Sequence, residues 1–246
     1  GCRSAVGATG GSDAVSDRYA GRGAFTLFVL NPAGLDNPAL ALAGCRTGAV
    51  GVLNAETGLA ADALGVALRQ LAATGAPFGL KWGGSGRPAL FDAADALRPD
   101  WLILDAEHYA DRLADWQDFR AGGGRVLLEL TAWREDWATL DAQQLDGWWV
   151  KGHEAGGLVG EESSFVLLQR VLARTGLPVH VRGGIGPHNA AACQVGGAAG
   201  VVLDSALLLL TESPLAETLQ PWLRGLDGTE TVLLGAEDSG RFIRVL

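Results

Sequence analysis

The stretch GWWVKGHEAGGLVGEESSFVLLQRVLARTGLPVHVRGGIG (147–186) contains one complete unit of the pattern that predicts the fold. Its apolar run GWWVK leads into a glycine-rich loop. A segment with helical periodicity then begins at Ser163 or Ser164, both good N-cap residues. That segment stops near Gly176, and a second apolar run, PVHVR, follows. The order strand, loop, helix, strand is typical of parallel strands joined by a covering helix.

The same unit recurs along most of the chain. Each strand-like run is apolar on both faces, as expected for a parallel sheet that is covered by helices. An open doubly wound sheet would satisfy this pattern, but eight units within 246 residues favour a closed (β/α)8 TIM barrel. The eight runs are FTLFVL (25–30), AVGVL (49–53), FGLKW (78–82), WLILD (101–105), RVLLEL (125–130), GWWVK (147–151), PVHVR (178–182) and GVVLD (200–204).

The composition argues against several classes of partner. A formal net charge of −9 disfavours nucleic acid and anionic membranes. No apolar stretch reaches the length of a transmembrane helix, and the start of the chain lacks the order of a signal peptide. The three cysteines, Cys2, Cys45 and Cys193, are isolated, form no metal-binding or disulfide pattern, and favour a cytoplasmic protein without a metal site.

Three segments are expected. Residues 1–23 are small, polar and aperiodic, which predicts a linker or a disordered lead-in. Residues 24–228 form the barrel, and residues 229–246 form a strand-like tail that would begin a following region. The chain contains no methionine, which suggests a piece of a longer protein.

The loop KGHEAGG is the most specific feature on the face where such barrels carry their chemistry, the face at the strand C-termini. Lys151 ends a buried strand, so its charge should emerge into the cleft. Gly156 and Gly157 would let a flat ring lie against the backbone. The alternative is structural: a pair between Lys151 and Glu154 that supports a glycine loop.

A second glycine pair follows the seventh predicted strand. Gly183 and Gly184 can present bare backbone N–H groups, and a helix that starts near Pro187 adds its positive end, so the segment could hold a phosphate. A tight turn that needs glycine for its geometry alone is an equal alternative.

Other titratable residues are less specific. Asp105 and Glu107 end the fourth strand and could be acid–base groups, although carboxylates at strand ends are also found as solvated termini. Isolated histidines are more often surface residues than ligands, and His180 could face the helices. The histidines concerned are His108, His180 and His188.

The motifs together carry a resemblance. KGHEAGG, RGGIG and GAAGVVLDSALLLLTES, with NPAGLDNPALALAGCRTGAVGVLNAE in the first half, resemble the nitronate monooxygenase (2-nitropropane dioxygenase-like) family. That family includes FMN-dependent enoyl reductases. The similarity spans about residues 25–213, is strongest over 148–213, and is greatest to the form embedded in type I polyketide or polyunsaturated fatty acid synthases. It implies an FMN-binding TIM barrel.

The resemblance also implies positions for FMN around the mouth of the barrel. Positions beside the flavin ring lie in or just after the first, second, third and sixth strands. Positions at the phosphate follow the seventh and eighth strands, where a serine replaces the threonine of the family's Gly-Thr pair. The ring positions are Pro32, Ala33, Asn54, Lys81, Lys151, Gly156 and Gly157, and the phosphate positions are Gly183, Gly184, Asp204 and Ser205.

Two positions depart from the family pattern. The family motif continues Gly-Gly-His, and that histidine is its expected acid–base group, whereas this chain has Leu158. The catalytic candidates are therefore the other polar residues of the loop, Lys151, His153 and Glu154. Asp204 replaces a glycine and would repel a phosphate unless it turned away or were protonated.

The leading functional hypothesis is an FMN-dependent oxidoreductase domain of a multidomain polyketide or fatty acid synthase, acting as an enoyl-thioester reductase or on nitronates. Its partners would be NAD(P)H, an acyl thioester on acyl carrier protein or a small nitronate, and other synthase domains. One alternative is a catalytically silent barrel that serves as a scaffold or docking domain, favoured by Leu158 and Asp204. Another is a flavin-free enzyme acting on a phosphorylated small molecule, based on RGGIG, Asp105 and Glu107.

Overall fold

The computed structural model describes residues 24–83, 97–215, 219–227, 229–236 and 241–245. The predicted lead-in, residues 1–23, lies outside these ranges, and so do residues 84–96 in the connection after the third predicted strand.

Eight parallel strands close into a barrel, which confirms the predicted fold class. The barrel closes where the first and last strands pair, with Thr26 opposite Gly200. All eight predicted apolar runs become barrel strands, with boundaries that shift by at most two residues. The strands are β1 (Thr26–Leu30), β2 (Val50–Ala55), β3 (Phe78–Trp82), β4 (Trp101–Asp105), β5 (Arg125–Leu130), β6 (Gly147–Lys151), β8 (Val179–Arg182) and β9 (Gly200–Leu203).

Helices lie between most of the strands and cover the barrel. Their boundaries follow local signals: Ser163 accepts a hydrogen bond from Val166 N and caps its helix, and Gly75 adopts a left-handed φ of 68° shortly after another helix ends. The described helices are α1 (Ala39–Arg46), α2 (Ala61–Ala72), α3 (Ala106–Tyr109), α4 (Gln117–Ala121), α5 (Ser164–Leu172), α6 (Pro187–Val195) and α7 (Gln220–Leu223).

The connection between β5 and β6 departs from the repeating pattern. It contains a 3-10 turn (Glu135–Thr139) and no α-helix, whereas α-helices lie in the connections from β1 to β3, from β4 to β5 and from β6 to β9. Trp137 of this turn stacks on Trp148 of β6 at a centroid distance of 5.8 Å, and Trp133 packs edge-on against both rings. Aromatic packing thus covers this side of the barrel in place of a helix.

The lower half of the barrel interior is filled by large side chains. Phe28 contacts Trp101, Trp149 and His180 edge-on, with ring centroids 5.0 to 5.2 Å apart. His180 therefore faces the interior, and the suggestion that it faces the helices is wrong. Its Nδ1 lies 3.3 Å from Trp148 O, and burial lowers the pKa of His180 to about 4, so the ring is neutral and acts as a core residue.

The tail forms a small second sheet with the glycine-rich loop. Strands β10 (Val232–Ala236) and β11 (Arg241–Val245) pair as an antiparallel hairpin, and β11 also pairs with β7 (Gly157–Val159). The chain end is thereby attached to the loop that follows β6. That the tail also begins a following region stays a prediction.

Candidate functional site

The strand C-termini bring the two glycine-rich loops together at one end of the barrel. Lys151 of β6 lies opposite Arg182 of β8, and Arg182 lies opposite Val202 of β9. The segments that follow these three strands therefore share one rim. They are the loop after Lys151, the pair Gly183 and Gly184, and Ser205.

A buried ion network lies just below this rim. Lys81, Glu129 and Arg182 come from the third, fifth and seventh barrel strands, because alternate strands contribute side chains to one interior layer. Glu129 Oε1 lies 2.6 Å from Lys81 Nζ, and its Oε2 lies 3.0 Å from Arg182 Nη1. One carboxylate thus joins two cations across the centre of the barrel.

Two further carboxylates complete the network. Glu56 pairs with Lys81, and Asp204 Oδ2 lies 3.0 Å from Arg182 Nε. Burial raises the pKa of Glu129, but Lys81 and Arg182 outweigh it and hold that pKa well below its usual range. In the same way, burial opposes and Lys81 favours the charged form of Glu56, whose pKa is lowered. Glu56 and Glu129 are therefore ionised at neutral pH.

Lys151 differs from the other two cations. Its side chain is 2% exposed, and within the described residues its Nζ makes no hydrogen bond or ion pair. Burial, and then repulsion by Arg182, lower the pKa of Lys151 to about 8. The site therefore contains a buried amine that is partly neutral near physiological pH.

The loop after Lys151 is held mainly by backbone and helix contacts. Glu154 accepts hydrogen bonds from Ser164 N at 2.9 Å and from Ser164 Oγ at 3.3 Å, so its carboxylate caps the N-terminus of α5. The alternative prediction, an ion pair between Lys151 and Glu154, is wrong, because the Glu154 carboxylate contacts the N-terminus of α5 instead. The bare Cα of Gly157, at a φ of +76°, lies beside Lys151: a Cβ added there would be 3.7 Å from Lys151 Nζ.

The backbone of His153 is held by hydrogen bonds to the loop and to the C-terminal tail. Its backbone N–H donates to Glu162 O at 2.9 Å, and its carbonyl accepts from Arg244 Nε of β11 at 2.6 Å. Its ring Nδ1 is buried without a partner in the described structure. Leu158, where the resemblance places a histidine, is 41% exposed and lies opposite Ile243 in the small sheet.

Only some of the predicted phosphate-binding residues have N–H groups without a hydrogen-bond partner in the described structure. Gly183 and Gly184 have φ angles of +118° and +62°, and in the described structure their N–H groups donate to no other residue. In contrast, Asp204 Oδ1 accepts from Ser205 N at 2.7 Å and lies 3.3 Å from Ser205 Oγ. Asp204 therefore turns toward Arg182 and also occupies the donors of Ser205.

The first two strands contribute amide side chains at the same rim. Asn54 is 1% exposed, and its Oδ1 accepts from Glu56 N at 3.1 Å, which shapes the turn that presents Glu56 to Lys81. Asn31, just after β1, is fully buried and donates to Leu35 O, while its Oδ1 is without a partner in the described residues. Pro32 and Ala33 follow it at the surface of the rim.

The remaining sequence candidates have local roles. Asp105 accepts from Glu107 N and caps α3, and its other oxygen lies 3.2 Å from His108 Nδ1. Glu107 lies 3.4 Å from Arg134, and His188 is exposed at the start of α6. These contacts do not bring Asp105 or Glu107 into the ion network.

Sequence reasoning missed Asn31, Glu56, Glu129 and Arg182. A signal was present, because Glu129 in RVLLEL and Arg182 in PVHVR are charged residues at alternate positions of otherwise apolar runs, as Lys81 is in FGLKW. Charges on the inward face of several such strands predict an interior polar layer.

Features of other kinds of site lie outside this rim or are absent from the described residues. Among the described residues, no three histidine, cysteine, aspartate or glutamate side chains form a group that could hold a metal ion. No helix in the described ranges is long and apolar enough to cross a membrane. A cavity of about 1130 Å³ opens at the other end of the barrel, beside Thr26, Pro178 and His180, away from the glycine loops.

Comparisons with known proteins show the fold. No protein-family model and no curated protein sequence matches the chain. Among solved structures, FabK from Thermotoga maritima matches with a TM-score of 0.74 at 21% identity, over 95% of this chain and 74% of that one. Nitroalkane oxidase from Streptomyces ansochromogenes matches with a TM-score of 0.65 at 23% identity, over 88% and 75%.

A more distant structure, an IMP dehydrogenase/GMP reductase-like protein from Corynebacterium glutamicum, matches with a TM-score of 0.55 at 16% identity, over 76% of this chain and 65% of that one. Identities this low establish a shared fold and nothing finer. At the level of the fold, the resemblance noted in the sequence is confirmed.

Proposed function

We propose that this chain is an FMN-dependent oxidoreductase. The observation that carries the proposal is the arrangement around Lys151: a buried, partly neutral amine ends a strand that is followed by the pair Gly156–Gly157, and the pair Gly183–Gly184 follows the neighbouring strand at the barrel mouth. A flat ring needs bare backbone to stack on, and a phosphate needs free N–H groups.

The residues present fit FMN on both of these counts. On the ring side, a Cβ added to Gly156 would meet nothing within 4 Å, so the backbone there is open. Lys151 would lie beside the ring, together with Pro32 and Ala33 after β1. On the phosphate side, Gly183 and Gly184 would donate their N–H groups, whereas Ser205 is occupied by Asp204.

FMN, when bound, supplies hydride transfer, and the chain supplies orientation and proton handling. Leu158 cannot donate or accept a proton, so the acid–base group is a different residue from the histidine of the family pattern. Lys151 is the group we propose, because a pKa of about 8 lets its Nζ hold or release a proton near neutral pH. The backbone of His153 is hydrogen-bonded to Arg244, and the carboxylate of Glu154 caps α5. We therefore assign these two residues to positioning the loop.

The substrate class follows from the resemblance. We propose an enoyl thioester carried on acyl carrier protein, reduced with NAD(P)H, or a small nitronate as the alternative substrate. The setting we propose is cytoplasmic, within a multidomain polyketide or fatty acid synthase whose other domains are the partners.

The first test is the visible spectrum of the purified protein, followed by titration with FMN. Flavin absorbance that remains after gel filtration, or saturable binding of added FMN, is expected. The matched variant is Gly157→Val, which should block the ring because its branched side chain would lie against Lys151. A chain that binds no FMN in either form contradicts the proposal.

Turnover is tested with an enoyl thioester plus NADH or NADPH, and separately with a nitronate plus O₂. Leu158→His restores the histidine of the family pattern and is expected to raise a low rate. Lys151→Met is expected to reduce the parent rate further. If these proteins bind flavin and none of them turns over either substrate, the proposed oxidoreductase activity is refuted.

A catalytically silent barrel is the second candidate, and one specific observation favours it. Asp204 satisfies the Ser205 donors, and Leu158 is part of the small sheet with β11, so both departures from the family pattern have structural roles. This candidate predicts no flavin binding and no gain from Leu158→His.

A further inference from the structure

The distribution of lysine in this chain is unusual. Only two of its 19 lysine and arginine residues are lysines, Lys81 and Lys151. Both lie on barrel strands at the mouth, and they are 3% and 2% exposed. The other cations are arginines, which stay protonated under all ordinary conditions, whereas a lysine amine can lose its proton and react. The only side-chain amines of the chain are therefore buried in its candidate site.

The two lysines have different surroundings. Lys81 forms ion pairs with Glu56 and Glu129. Lys151 pairs with no carboxylate in the described structure, and a Cβ added to Gly157 would lie 3.7 Å from its Nζ. A glycine at this position leaves room beside the amine that any other residue would fill.

The charges around Lys151 favour its neutral form. Burial has the largest effect, and repulsion by Arg182 and Lys81 adds to it, while Glu129 and Glu56 act in the opposite direction. The resulting pKa of about 8 leaves a substantial fraction of the amine unprotonated near pH 7.5. A desolvated lysine next to other cations is the usual form of a nucleophilic amine.

We propose that Lys151 is a nucleophilic amine that forms an imine with a small carbonyl compound carrying a carboxylate or phosphate group. The anionic group would be held by the N–H groups of Gly183 and Gly184, which follow Arg182, the register partner of Lys151. This inference goes beyond the proposed oxidoreductase activity, since it concerns the amine itself and needs no flavin.

The chemistry balances without another reactant. The Nζ lone pair of neutral Lys151 attacks the carbonyl carbon, and the C=O π electrons move to oxygen. Proton transfer from nitrogen to oxygen gives a carbinolamine. Loss of this hydroxyl as water then forms the C=N bond, and a proton on nitrogen gives the iminium ion.

The test uses glyoxylate with sodium cyanoborohydride, which reduces an imine to a stable secondary amine. Peptide mapping by mass spectrometry then reports the carboxymethyl adduct at Lys151 and at Lys81 in the same molecule. N-acetyl-lysine in the same solution serves as the reference amine. At pH 7.5, Lys151 is expected to react at least about tenfold faster than N-acetyl-lysine, because its lower pKa leaves far more neutral amine, and Lys81 is expected to stay unmodified.

Glycolaldehyde is the matched neutral probe, because it has an aldehyde on the same two-carbon skeleton and no carboxylate. After division by the rate for the reference amine, glyoxylate should modify Lys151 faster than glycolaldehyde does. Equal normalised rates would overturn the anion-binding part of the proposal. Lys151→Arg keeps a cation and should abolish the adduct.

The within-molecule comparison keeps the test decisive if a variant fails to fold. No adduct at Lys151, or modification no faster than that of N-acetyl-lysine, would overturn the inference. FMN binding is measured separately on unmodified protein. Rapid modification of a chain that binds no FMN supports this inference and contradicts the oxidoreductase, whereas FMN binding to a chain with unreactive Lys151 does the reverse.

Discussion

Glu129 and Arg182 form an ion pair of 3.0 Å inside the barrel, with side chains that are 9% and 6% exposed. The second oxygen of Glu129 contacts Lys81, so a single carboxylate pairs with two buried cations. Three cations, Lys81, Lys151 and Arg182, face three carboxylates, Glu56, Glu129 and Asp204, in and around this network. Removing Glu129 would leave Lys81 and Arg182 without the carboxylate that they share.

Glu129→Gln is expected to lower the free energy of unfolding by about 3–5 kcal/mol, because Lys81 and Arg182 would lose their shared carboxylate in a buried site. Urea unfolding at pH 7 measures the change. Glu135→Gln is the matched control: this glutamate pairs with Arg174 at the surface, with a 75% exposed side chain, and its loss should cost under about 1 kcal/mol. Similar losses in both variants would contradict a stabilising network.

Lys151→Met tests the lowered pKa of Lys151. Because the folded-state pKa of about 8 lies below the value near 10.4 for an unfolded chain, the folded state disfavours the charged amine. The parent should gain stability as the pH rises between these two values. The stability advantage of Lys151→Met should therefore be larger at pH 7 than at pH 10, by about 2–3 kcal/mol. Equal advantages at both pH values, measured by urea unfolding, would show that the amine is not perturbed.

Gly157→Ala and Gly156→Ala form a matched pair at adjacent positions. Gly157 has a φ of +76°, which costs an alanine about 1–2 kcal/mol, whereas Gly156 lies outside the left-handed region and has open space around its Cα. Only Gly157→Ala should lower the free energy of unfolding measurably. A neutral Gly157→Ala would mean that the strand pairing with Arg244 relaxes freely.

Asp204→Gly is expected to strengthen FMN binding about tenfold, since it frees Ser205 N–H and removes a carboxylate beside the phosphate position. Titration of fluorescence quenching measures the dissociation constant. Asp136→Gly removes an exposed carboxylate that pairs with Arg134, and should not change the affinity. Weaker binding by Asp204→Gly would indicate that the carboxylate orients Arg182 for the ligand.

The barrel could be predicted because its strands are buried on both faces, which leaves apolar runs such as WLILD and GVVLD in the sequence. Residues that follow neighbouring strands, such as Lys151 and Gly183, could be placed on one rim for the same reason. Their hydrogen-bond partners could not be predicted. Glu154 had two chemically equivalent options, a lysine and a helix N-terminus, and only the three-dimensional path of the loop favours Ser164.

The attachment of the tail was beyond sequence reasoning for a different reason. Strand β11 pairs with β7, which lies far away in the sequence. The alternating apolar residues in RFIRVL predict a strand, but they do not indicate which strand it pairs with. That residues 157–159 form a strand could not be predicted either, because their sequence is typical of a glycine-rich loop.

The pairing of β11 with β7 sets the order in which the chain can acquire its structure. His153 and Arg244, joined by a hydrogen bond, are 91 residues apart. During synthesis from the N-terminus, β9 emerges and can close the barrel well before β11 leaves the ribosome. A nascent chain that ends before residue 241 can therefore hold a closed barrel while the loop beside Lys151 still lacks its partner strand.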